Sequence, residues 1–201
     1  MDSQSTKTHV CPWWLGYFLI NPLRRLYQNP NTILAERVRN GMTVLEIGPG
    51  MGYFTLPMAR LVGPQGRVLC VDLQKKMLQK LMKRAAKAGL AERILPVLAS
   101  QDSLRLDEYA KMAEFALAFA VVHEVPDQSR LFEEIHRAMK PGSLLLVSEP
   151  KGHVTRETFQ KTIEAAMKKG FQAEIPVDIK QSISMIFKVQ SHQHLQGGNH
   201  G

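Results

Sequence analysis

The most chemically informative feature of the sequence is a glycine-rich stretch at residues 46–52, which reads Glu-Ile-Gly-Pro-Gly-Met-Gly. It ends a short β-branched run that begins at Thr43, and a helical pattern follows it. Glycines at such a strand–helix turn let the backbone approach a ligand, and the free N–H groups of the helix start point towards it. The stretch departs from the dinucleotide fingerprint G-x-G-x-x-G, because Tyr53 stands where the third glycine is needed. Taken alone, it is also compatible with a tight strand–helix connection that binds nothing.

An acid follows at a spacing that suits a nucleoside. Asp72 comes twenty residues after Gly52, at the end of the apolar run of residues 67–71. A carboxylate at that place can accept hydrogen bonds from both hydroxyls of a ribose. The alternative for Asp72 alone is a helix N-cap. The glycine turn and the acid together favour a cofactor that contains a nucleoside.

Residues 44–55 resemble motif I of the class I S-adenosylmethionine-dependent methyltransferases, which has the form E-x-G-x-G-x-G at the end of the first strand. The resemblance extends over roughly residues 40–190. It implies S-adenosyl-L-methionine as cofactor and S-adenosyl-L-homocysteine as product. A carboxylate at Glu46 suits a sulfonium cofactor with an α-ammonium group, whereas it would repel a dinucleotide pyrophosphate.

The resemblance also assigns further residues to the cofactor. Asp72 would hold the ribose, and Leu73 would pack near the adenine. An acid or amide after the third strand binds the adenine amino group in this family, and Ser100 or Gln101 fits that position, with Asp102 just beyond. The residues assigned to the cofactor are Glu46, Gly48, Pro49, Gly50, Gly52, Asp72, Leu73, Ser100, Gln101, Asp102 and Ala120.

The stretch at residues 119–126 bears on the methyl acceptor. The glycine turn is similar to that of the ribosomal RNA adenine dimethylases, but those enzymes carry an N-L-P-Y or D-P-P-Y type tetrapeptide here, and this chain has none to clamp a flipped base. The double-glutamate loop of protein arginine methyltransferases is missing as well. Residues 122–127 and 140–150 instead resemble the V-x-H-x-x-x-D and K-P-G-G-x-L-x-x-x-E segments of the type 11 small-molecule methyltransferases. The resemblance therefore implies a small-molecule acceptor.

His123 and Glu124 are the candidate catalytic residues. Both come at the carboxyl end of the fourth predicted strand, where ligands of open α/β sheets bind. His123 could accept a proton from the acceptor as a general base. The alternative is that it only shapes the cofactor pocket.

Residues 1–40 differ in character from the rest and are expected to form an N-terminal aromatic and helical extension. Its aromatic side chains could form a lid over an acceptor pocket, pack as core, or contact a membrane surface, since Arg24 and Arg25 follow them. His9 and Cys11 are too few to predict a metal site. The candidate pocket or lid residues are Trp13, Trp14, Tyr17 and Tyr27, with Phe18 beside them.

Apolar runs alternate with helical patterns from residue 43 onward, which predicts an α/β fold with a single domain at residues 41–190. Strands are predicted at 43–47, 67–71, 93–98, 115–122, 143–148, 171–177 and 183–189. Helices are predicted at 31–39, 53–62, 74–88, 104–112 and 127–139, and Phe159, Ile163, Ala166 and Met167 mark another. The expected fold is a Rossmann-like, doubly wound and mostly parallel seven-stranded sheet, whose last two strands form an antiparallel terminal hairpin. Residues 191–201 are expected to be a disordered tail.

The composition sets limits on the partners. Two cysteines in 201 residues make no disulfide framework, which favours a reducing cytoplasm. The longest apolar stretch near the N-terminus covers residues 10–20, too short for the roughly 20 residues of a membrane span. The net charge of +8 is spread over several predicted helices, so nucleic acid is disfavoured as a partner. An RNA methyltransferase and a non-catalytic S-adenosylmethionine-binding protein remain the alternatives, and the sequence leaves the oligomeric state open.

Overall fold

The structure is a computed structural model that describes Arg24 and residues 26–190. The helices are α1 (Pro30–Leu34), α2 (Thr55–Leu61), α3 (Lys75–Lys87), α4 (Gln128–Ala138) and α5 (Arg156–Met167). The strands are β1 (Thr43–Ile47), β2 (Arg67–Asp72), β3 (Ile94–Leu98), β4 (Ala113–Phe119), β5 (Met139–Pro150), β6 (Phe171–Pro176) and β7 (Ser182–Val189). Short 3-10 turns lie at Ala91–Arg93, Asp107–Tyr109 and Val122–Glu124.

The seven strands of the described chain form one sheet in the order β3-β2-β1-β4-β5-β7-β6. Strands β1 to β5 pair in parallel, and β7 runs antiparallel to both of its neighbours, β5 and β6. Only residues 177–181 connect β6 to β7, which leaves no room for a crossover helix. The predicted Rossmann-like α/β fold with its antiparallel terminal hairpin is confirmed.

Helices cover both faces of the sheet, so the central strands are buried throughout. Helices α1, α2 and α3 pack on one face, where Met58 and Leu81 contact the apolar side chains of the strands. Helices α4 and α5 pack on the other face around Phe132 and Phe159. Burial on both faces explains why β1, β2 and β4 read as continuous apolar runs rather than alternating ones.

Side-chain caps fix where the two helices on the second face begin. The Asp127 carboxylate accepts a hydrogen bond from the Arg130 backbone N–H at 2.9 Å at the start of α4. The Thr155 hydroxyl accepts one from the Thr158 N–H at 3.1 Å at the start of α5. Each cap satisfies a backbone donor that has no partner inside its helix. The cap of α4 matters for the site, because it sets the chain direction directly after the 3-10 turn of Val122–Glu124.

The predicted helix at residues 104–112 is wrong, because the segment contains only the 3-10 turn Asp107–Tyr109. Arg105 and Lys111 adopt φ values of +57° and +55° on either side of that turn. A right-handed helix cannot continue through residues in the left-handed region. The segment is therefore a loop that connects β3 to β4.

Other element boundaries differ in detail. The helix predicted at 31–39 ends at Leu34, and the chain continues as a turn that still buries Val38. The helix marked by Phe159, Ile163, Ala166 and Met167 is α5, in which Phe159 and Ala166 are buried and Met167 is half exposed. The spacing therefore located this helix, although not every apolar residue in it is buried.

The strands beside the site also differ from their predicted bounds. β4 ends at Phe119 rather than at Val122, because Ala120 adopts a φ of +56° and leaves the strand conformation. β5 begins at Met139 rather than at Ser143. The early end of β4 frees residues 120–125 to form the turn that carries His123.

Several expectations concern residues outside the described part of the chain, namely those for His9, Cys11, Trp13, Trp14, Tyr17, Phe18 and residues 191–201. Among the described residues, no helix is long and apolar enough to cross a membrane.

Candidate cofactor and acceptor site

A cavity of about 690 Å³ opens at the carboxyl ends of β1, β2 and β4. This is the edge where open α/β sheets bind their ligands. The strand order reverses there. Strand β2, which follows β1 in the chain, lies on one side of β1, and β4 lies on its other side. The predicted site residues that line the cavity are Tyr27, Glu46, Gly48, Pro49, Gly50, Asp72, Leu73, Ser100, Gln101, Asp102, Ala120, His123 and Glu124.

The glycine turn after β1 needs glycine for two different reasons. Gly48 has a φ of +68°, and a Cβ there would lie 2.8 Å from Cγ2 of Val121. Gly50 has a φ of +54° with no atom within 4 Å of where its Cβ would stand, so its backbone faces open space. Gly52 lies outside the cavity lining, and its missing Cβ makes room for Leu81 of α3. The structure thus places Gly48 and Gly50 at the cavity and Gly52 at a helix contact.

Glu46 is a buried acid at the end of β1, with its side chain in the cavity wall. Its Oε2 accepts a hydrogen bond from the Thr55 hydroxyl at 2.5 Å, and Cys70 Sγ lies 3.9 Å from the same oxygen. Burial raises the pKa of Glu46 to about 8, and the charge of Asp72 adds to this. The carboxyl is therefore mostly protonated at neutral pH and would ionise when a cation is placed beside it.

Asp72 ends β2 and faces the same cavity. Its Oδ1 accepts a hydrogen bond from the Gln74 N–H at 2.8 Å. Burial, with a smaller contribution from the nearby charge of Glu124, raises the pKa of Asp72 to about 6. The N-cap of α3 is Gln74, so Asp72 is not the cap residue, although its carboxylate accepts the Gln74 N–H. Asp72 lines the cavity, and its role in binding a ribose stays a prediction.

The loop after β3 forms the far rim of the cavity. The backbone of Ser100 pairs with that of Ser103, and Gln101 and Asp102 are exposed at the tip. The buried Glu134 of α4 holds this loop, since its Oε2 accepts from the Ser103 hydroxyl at 3.0 Å and from the Leu104 N–H at 2.7 Å. Sequence reasoning missed Glu134, because nothing local marks an acid in the middle of a helix as the anchor of a distant loop.

His123 is held by a buried carboxylate that sequence reasoning did not pair with it. Nδ1 of His123 bonds to Oε2 of Glu149, and the other oxygen of Glu149 accepts from the Val122 N–H at 2.8 Å. The hydrogen bond that the Glu149 carboxylate accepts from the ring raises the pKa of His123. Strand register could have indicated the pair, because β4 and β5 are parallel neighbours and Phe119 lies opposite Ser148.

Glu124 lines the same cavity as Asp72 and His123. Its charge adds to the causes that raise the pKa of Asp72 and the pKa of His123. The ring of His153 packs edge-on against His123, with 5.5 Å between the centroids. The structure therefore brings both predicted catalytic residues to the cavity.

The described part of the N-terminal extension covers one end of the cavity. The guanidinium carbon of Arg24 lies 4.4 Å from the ring centroid of Tyr53 and 5.3 Å from that of Phe119. Tyr27 and Gln28 complete this wall, and the Tyr53 hydroxyl donates to the Gln28 carbonyl at 2.8 Å. Arg24 and Tyr27 therefore line the cavity, and the choice between lid, core and membrane contact for the aromatic residues before them stays a prediction. In the described chain, no group of three or more acidic, histidine or cysteine side chains could hold a metal ion.

Replacing Glu134 with Ala should release the loop after β3. The Leu104 N–H would lose its acceptor, so we expect a loss of about 1–3 kcal/mol in the free energy of unfolding and faster hydrogen exchange at that amide. The matched control is Glu133→Ala, one residue earlier on α4, which removes only an exposed pair with Lys169. Exchange rates at Leu104 that are equal in the two variants would contradict the anchoring role.

Comparison with known proteins places this geometry in a family. A family model described as a methyltransferase domain matches residues 38–196. A ubiquinone/menaquinone biosynthesis C-methyltransferase from Marinomonas is 29% identical over 142 residues, which cover 69% of this chain and 55% of that protein. Its counterpart from Hahella chejuensis is 33% identical over 118 residues, covering 59% and 47%. The chain spans about half the length of these curated relatives.

Solved structures show the same fold at lower sequence similarity. A SAM-dependent methyltransferase from Aquifex aeolicus superposes with a TM-score of 0.80 at 21% identity, over 90% of this chain and all of that one. The [4+2]-cyclase SpnF superposes with a TM-score of 0.66 at 16% identity, over 80% of each chain. Because the family model matches most of the sequence, the chain belongs to the methyltransferase domain family, and the predicted class, the S-adenosylmethionine-dependent methyltransferases, is confirmed.

Proposed function

We propose that this chain transfers a methyl group from S-adenosylmethionine to a small-molecule acceptor that binds beside His123. One observation carries the proposal. A single cavity joins the glycine turn and the acids Glu46 and Asp72 to the His123–Glu149 pair. Such a cavity can hold a cofactor and an acceptor next to each other, and positioning alone can supply much of the acceleration of a displacement reaction.

The described residues fit the proposed cofactor. The cavity volume of about 690 Å³ lies in the range of small-molecule sites. The open face of Gly50 permits close backbone approach, Glu46 can neutralise an ammonium group, and Asp72 can accept from ribose hydroxyls. The exposed apolar side chain of Leu73 and the loop of Ser100 and Gln101 suit the adenine end. When bound, the cofactor supplies an activated methyl group on a sulfonium.

Residues of the chain then orient the acceptor and accept its proton. A neutral His123 that donates its Nδ1–H to Glu149 accepts a proton at Nε2. Glu149 acts as a positioning residue, because two backbone N–H groups fix its other oxygen. The buried rings of Phe54 and Phe119 keep water from the neighbouring wall. Glu124 faces the same space, and its charge favours the protonated His123 once the proton has moved.

The relatives suggest which acceptors to try first. Their names describe C-methylation in ubiquinone and menaquinone biosynthesis, so a ring compound with an ionisable hydroxyl next to a nucleophilic carbon is a reasonable first acceptor. Such a compound would lose its hydroxyl proton to His123 and become a stronger nucleophile. The cytoplasmic location and the membrane contact of the N-terminal aromatic residues stay predictions.

Titration calorimetry with S-adenosylmethionine tests the cofactor. We expect micromolar binding by the wild type and a loss of at least about tenfold in Asp72→Ala, which removes the ribose acceptor. A similar loss is expected in Gly50→Val, which puts a β-branched side chain at a φ of +54° on the open face that the cofactor would approach. Conversion to S-adenosylhomocysteine with a ring acceptor would then support methyl transfer. Binding without turnover for any acceptor would favour a non-catalytic S-adenosylmethionine-binding protein, and no binding at all would refute the proposal.

Glu46 should release a proton when the cofactor binds. Its pKa of about 8 in the cofactor-free protein means that an arriving ammonium group must convert the acid to a carboxylate. The binding enthalpy measured at pH 7 should therefore differ between phosphate and Tris buffers. The difference should equal the difference between the ionisation enthalpies of the two buffers multiplied by the number of protons released, which we expect to be between about half and one.

The Glu46→Gln variant is the isosteric control for this linkage. It should abolish the buffer dependence and weaken binding by about tenfold or more, since a charged hydrogen bond is lost. Because burial raises the pKa of Glu46 from its ordinary value of 4.5 to about 8, this residue makes the folded protein less stable as the pH rises through that range. The cofactor-free variant should therefore gain thermal stability over the wild type at pH 8.5 and less at pH 6. A binding enthalpy independent of the buffer would exclude Glu46 as the source of the proton.

The His123–Glu149 pair should control the pH profile of turnover. His123→Gln should lower kcat by about 10²–10⁴-fold. The wild-type rate should rise with pH through the raised pKa of His123, because only the neutral ring is a base. Glu149→Gln should move that inflection to lower pH, since it removes the main cause of the shift. His136→Gln, a histidine outside the cavity lining, is the control, and an unchanged inflection in Glu149→Gln would contradict the positioning role.

A further inference from the structure

Basic residues are concentrated on helix α3. Although lysines and arginines occur throughout the chain, the 13 residues of α3 contain six of the 26 basic residues and no acid. Four of its lysines follow one another at steps of four, three and four residues, which places them on one side of an α-helix over about three turns. We call this side the basic stripe, and it consists of Lys76, Lys80, Lys83 and Lys87.

The fold turns the basic stripe towards solvent. The buried side chains of α3, among them Leu81 and Ala85, lie on the opposite side of the helix and pack against the sheet. Three of the four lysines are exposed, and Lys80 is partly exposed. Gln74 and Met77 at the start of α3 line the cavity, whereas the four lysines do not. The basic stripe is therefore a surface beside the cavity rather than a part of it.

The acids near α3 are fewer than the lysines of the stripe. Along the chain, the nearest are Asp72, which lines the cavity, and Glu92, which is exposed just after α3. Helices α1 and α2 on the same face of the sheet contain no acid, and Glu36 follows α1. Outside the described residues, the sequence contains one acidic residue, Asp2. This side of the molecule therefore carries an excess of positive charge.

Two exposed leucines lie next to the beginning of α3. Leu73 precedes the helix and Leu98 ends β3, and the two side chains are 39% and 38% exposed. In the pairing of β2 with β3, Leu98 lies opposite Asp72, directly before Leu73. Alternation along β3 places Leu98 on the same sheet face as Ile94, which packs in the cluster under α3. Apolar side chains beside lysines suit the interface of a lipid bilayer.

The composition of α3 favours a lipid surface over a nucleic acid. The helix has no aromatic side chain on which a base could stack. Its one arginine, Arg84, donates to the Met51 carbonyl of the glycine turn and is thereby held against the protein. The basic stripe contains lysine alone, and the compact charge of lysine suits a diffuse anionic surface better than the directed contacts of an arginine fork.

We propose that the basic stripe docks the protein on an anionic lipid bilayer. Clusters of about four to eight basic residues bind such surfaces, and each lysine contributes roughly fivefold in affinity. The four lysines contact the lipid headgroups, and Leu98 contacts the apolar region below them. Docking keeps the cavity close to the membrane, because α3 begins at the cavity lining. The stripe itself lies outside that lining, so docking does not depend on the proposed methyl transfer.

Co-sedimentation of the full chain with vesicles tests the docking. The vesicles consist of phosphatidylcholine alone, or of phosphatidylcholine with about one third phosphatidylserine. We expect at least about tenfold stronger binding to the anionic vesicles, and we expect about 0.5 M salt to remove most of it. The double variant Lys83→Gln, Lys87→Gln should bind the anionic vesicles about tenfold more weakly or less, because two of the four charges are lost.

A matched double variant separates the stripe from the net charge. Lys161→Gln, Lys168→Gln removes two exposed lysines in and directly after α5, on the other face of the sheet, and should keep the binding. Melting temperatures equal to that of the wild type show that both double variants are folded. An equal loss of binding in the two variants, or equal binding of the wild type to neutral and anionic vesicles, overturns the docking role.

Two further measurements distinguish the remaining outcomes. Binding to a single-stranded RNA that is tighter than binding to the anionic vesicles, and that is lost in the Lys83→Gln, Lys87→Gln variant, would assign the stripe to nucleic acid and overturn the lipid proposal. Binding of S-adenosylmethionine is measured on the same proteins. Its absence would refute the proposed function and leave the vesicle result standing, since the stripe and the cavity lining share no lysine.

Discussion

The reversal of strand order between β1 and β4 is the constraint on which the rest of the structure depends. Helices α2 and α3, which connect β1 to β2 and β2 to β3, lie on one face of the sheet, and α4 and α5 lie on the other. The chain therefore diverges at the carboxyl ends of β1 and β4, which leaves a gap at that edge of the sheet. The glycine turn, Asp72 and His123 all follow strands that end at this gap, so residues far apart in the sequence line one cavity.

Three buried acids stabilise the edge of that cavity or line it, and they differ in the groups that donate hydrogen bonds to them. Glu134 and Glu149 accept hydrogen bonds from backbone N–H groups and hold the loop after β3 and the His123 ring respectively. Among the described residues, the Thr55 hydroxyl and the Cys70 thiol donate to Glu46. Burial raises the pKa of Glu46 to about 8, because these two hydrogen bonds offset only part of the cost of removing the carboxylate from water. Two of the acids thus act as anchors, whereas the third is the group that the proposed function assigns to the cofactor.

The fold alone does not decide the reaction, since the similar structures include a methyltransferase and a [4+2]-cyclase. The reaction must therefore be argued from the cavity of this chain. One side of that cavity carries the glycine turn, Glu46 and Asp72, and another side carries His123, which Glu149 holds in the turn after β4.

The sequence by itself determined the alternation of strands and helices, the glycine turn and the position of Asp72, because each depends on local spacing and backbone conformation. It also predicted His123 at the cavity, since the carboxyl ends of parallel strands share one edge.

Only the tertiary structure decided the rest. The pairing of His123 with Glu149 depends on the register of β4 against β5, and the role of Glu134 depends on how α4 packs beside the loop after β3. The loop at residues 104–112 and the hydrogen bond between Gln28 and Ser182 also depend on contacts between distant segments. Such contacts leave no periodic signal in the sequence, because they are fixed by how elements pack and not by the spacing within any one of them.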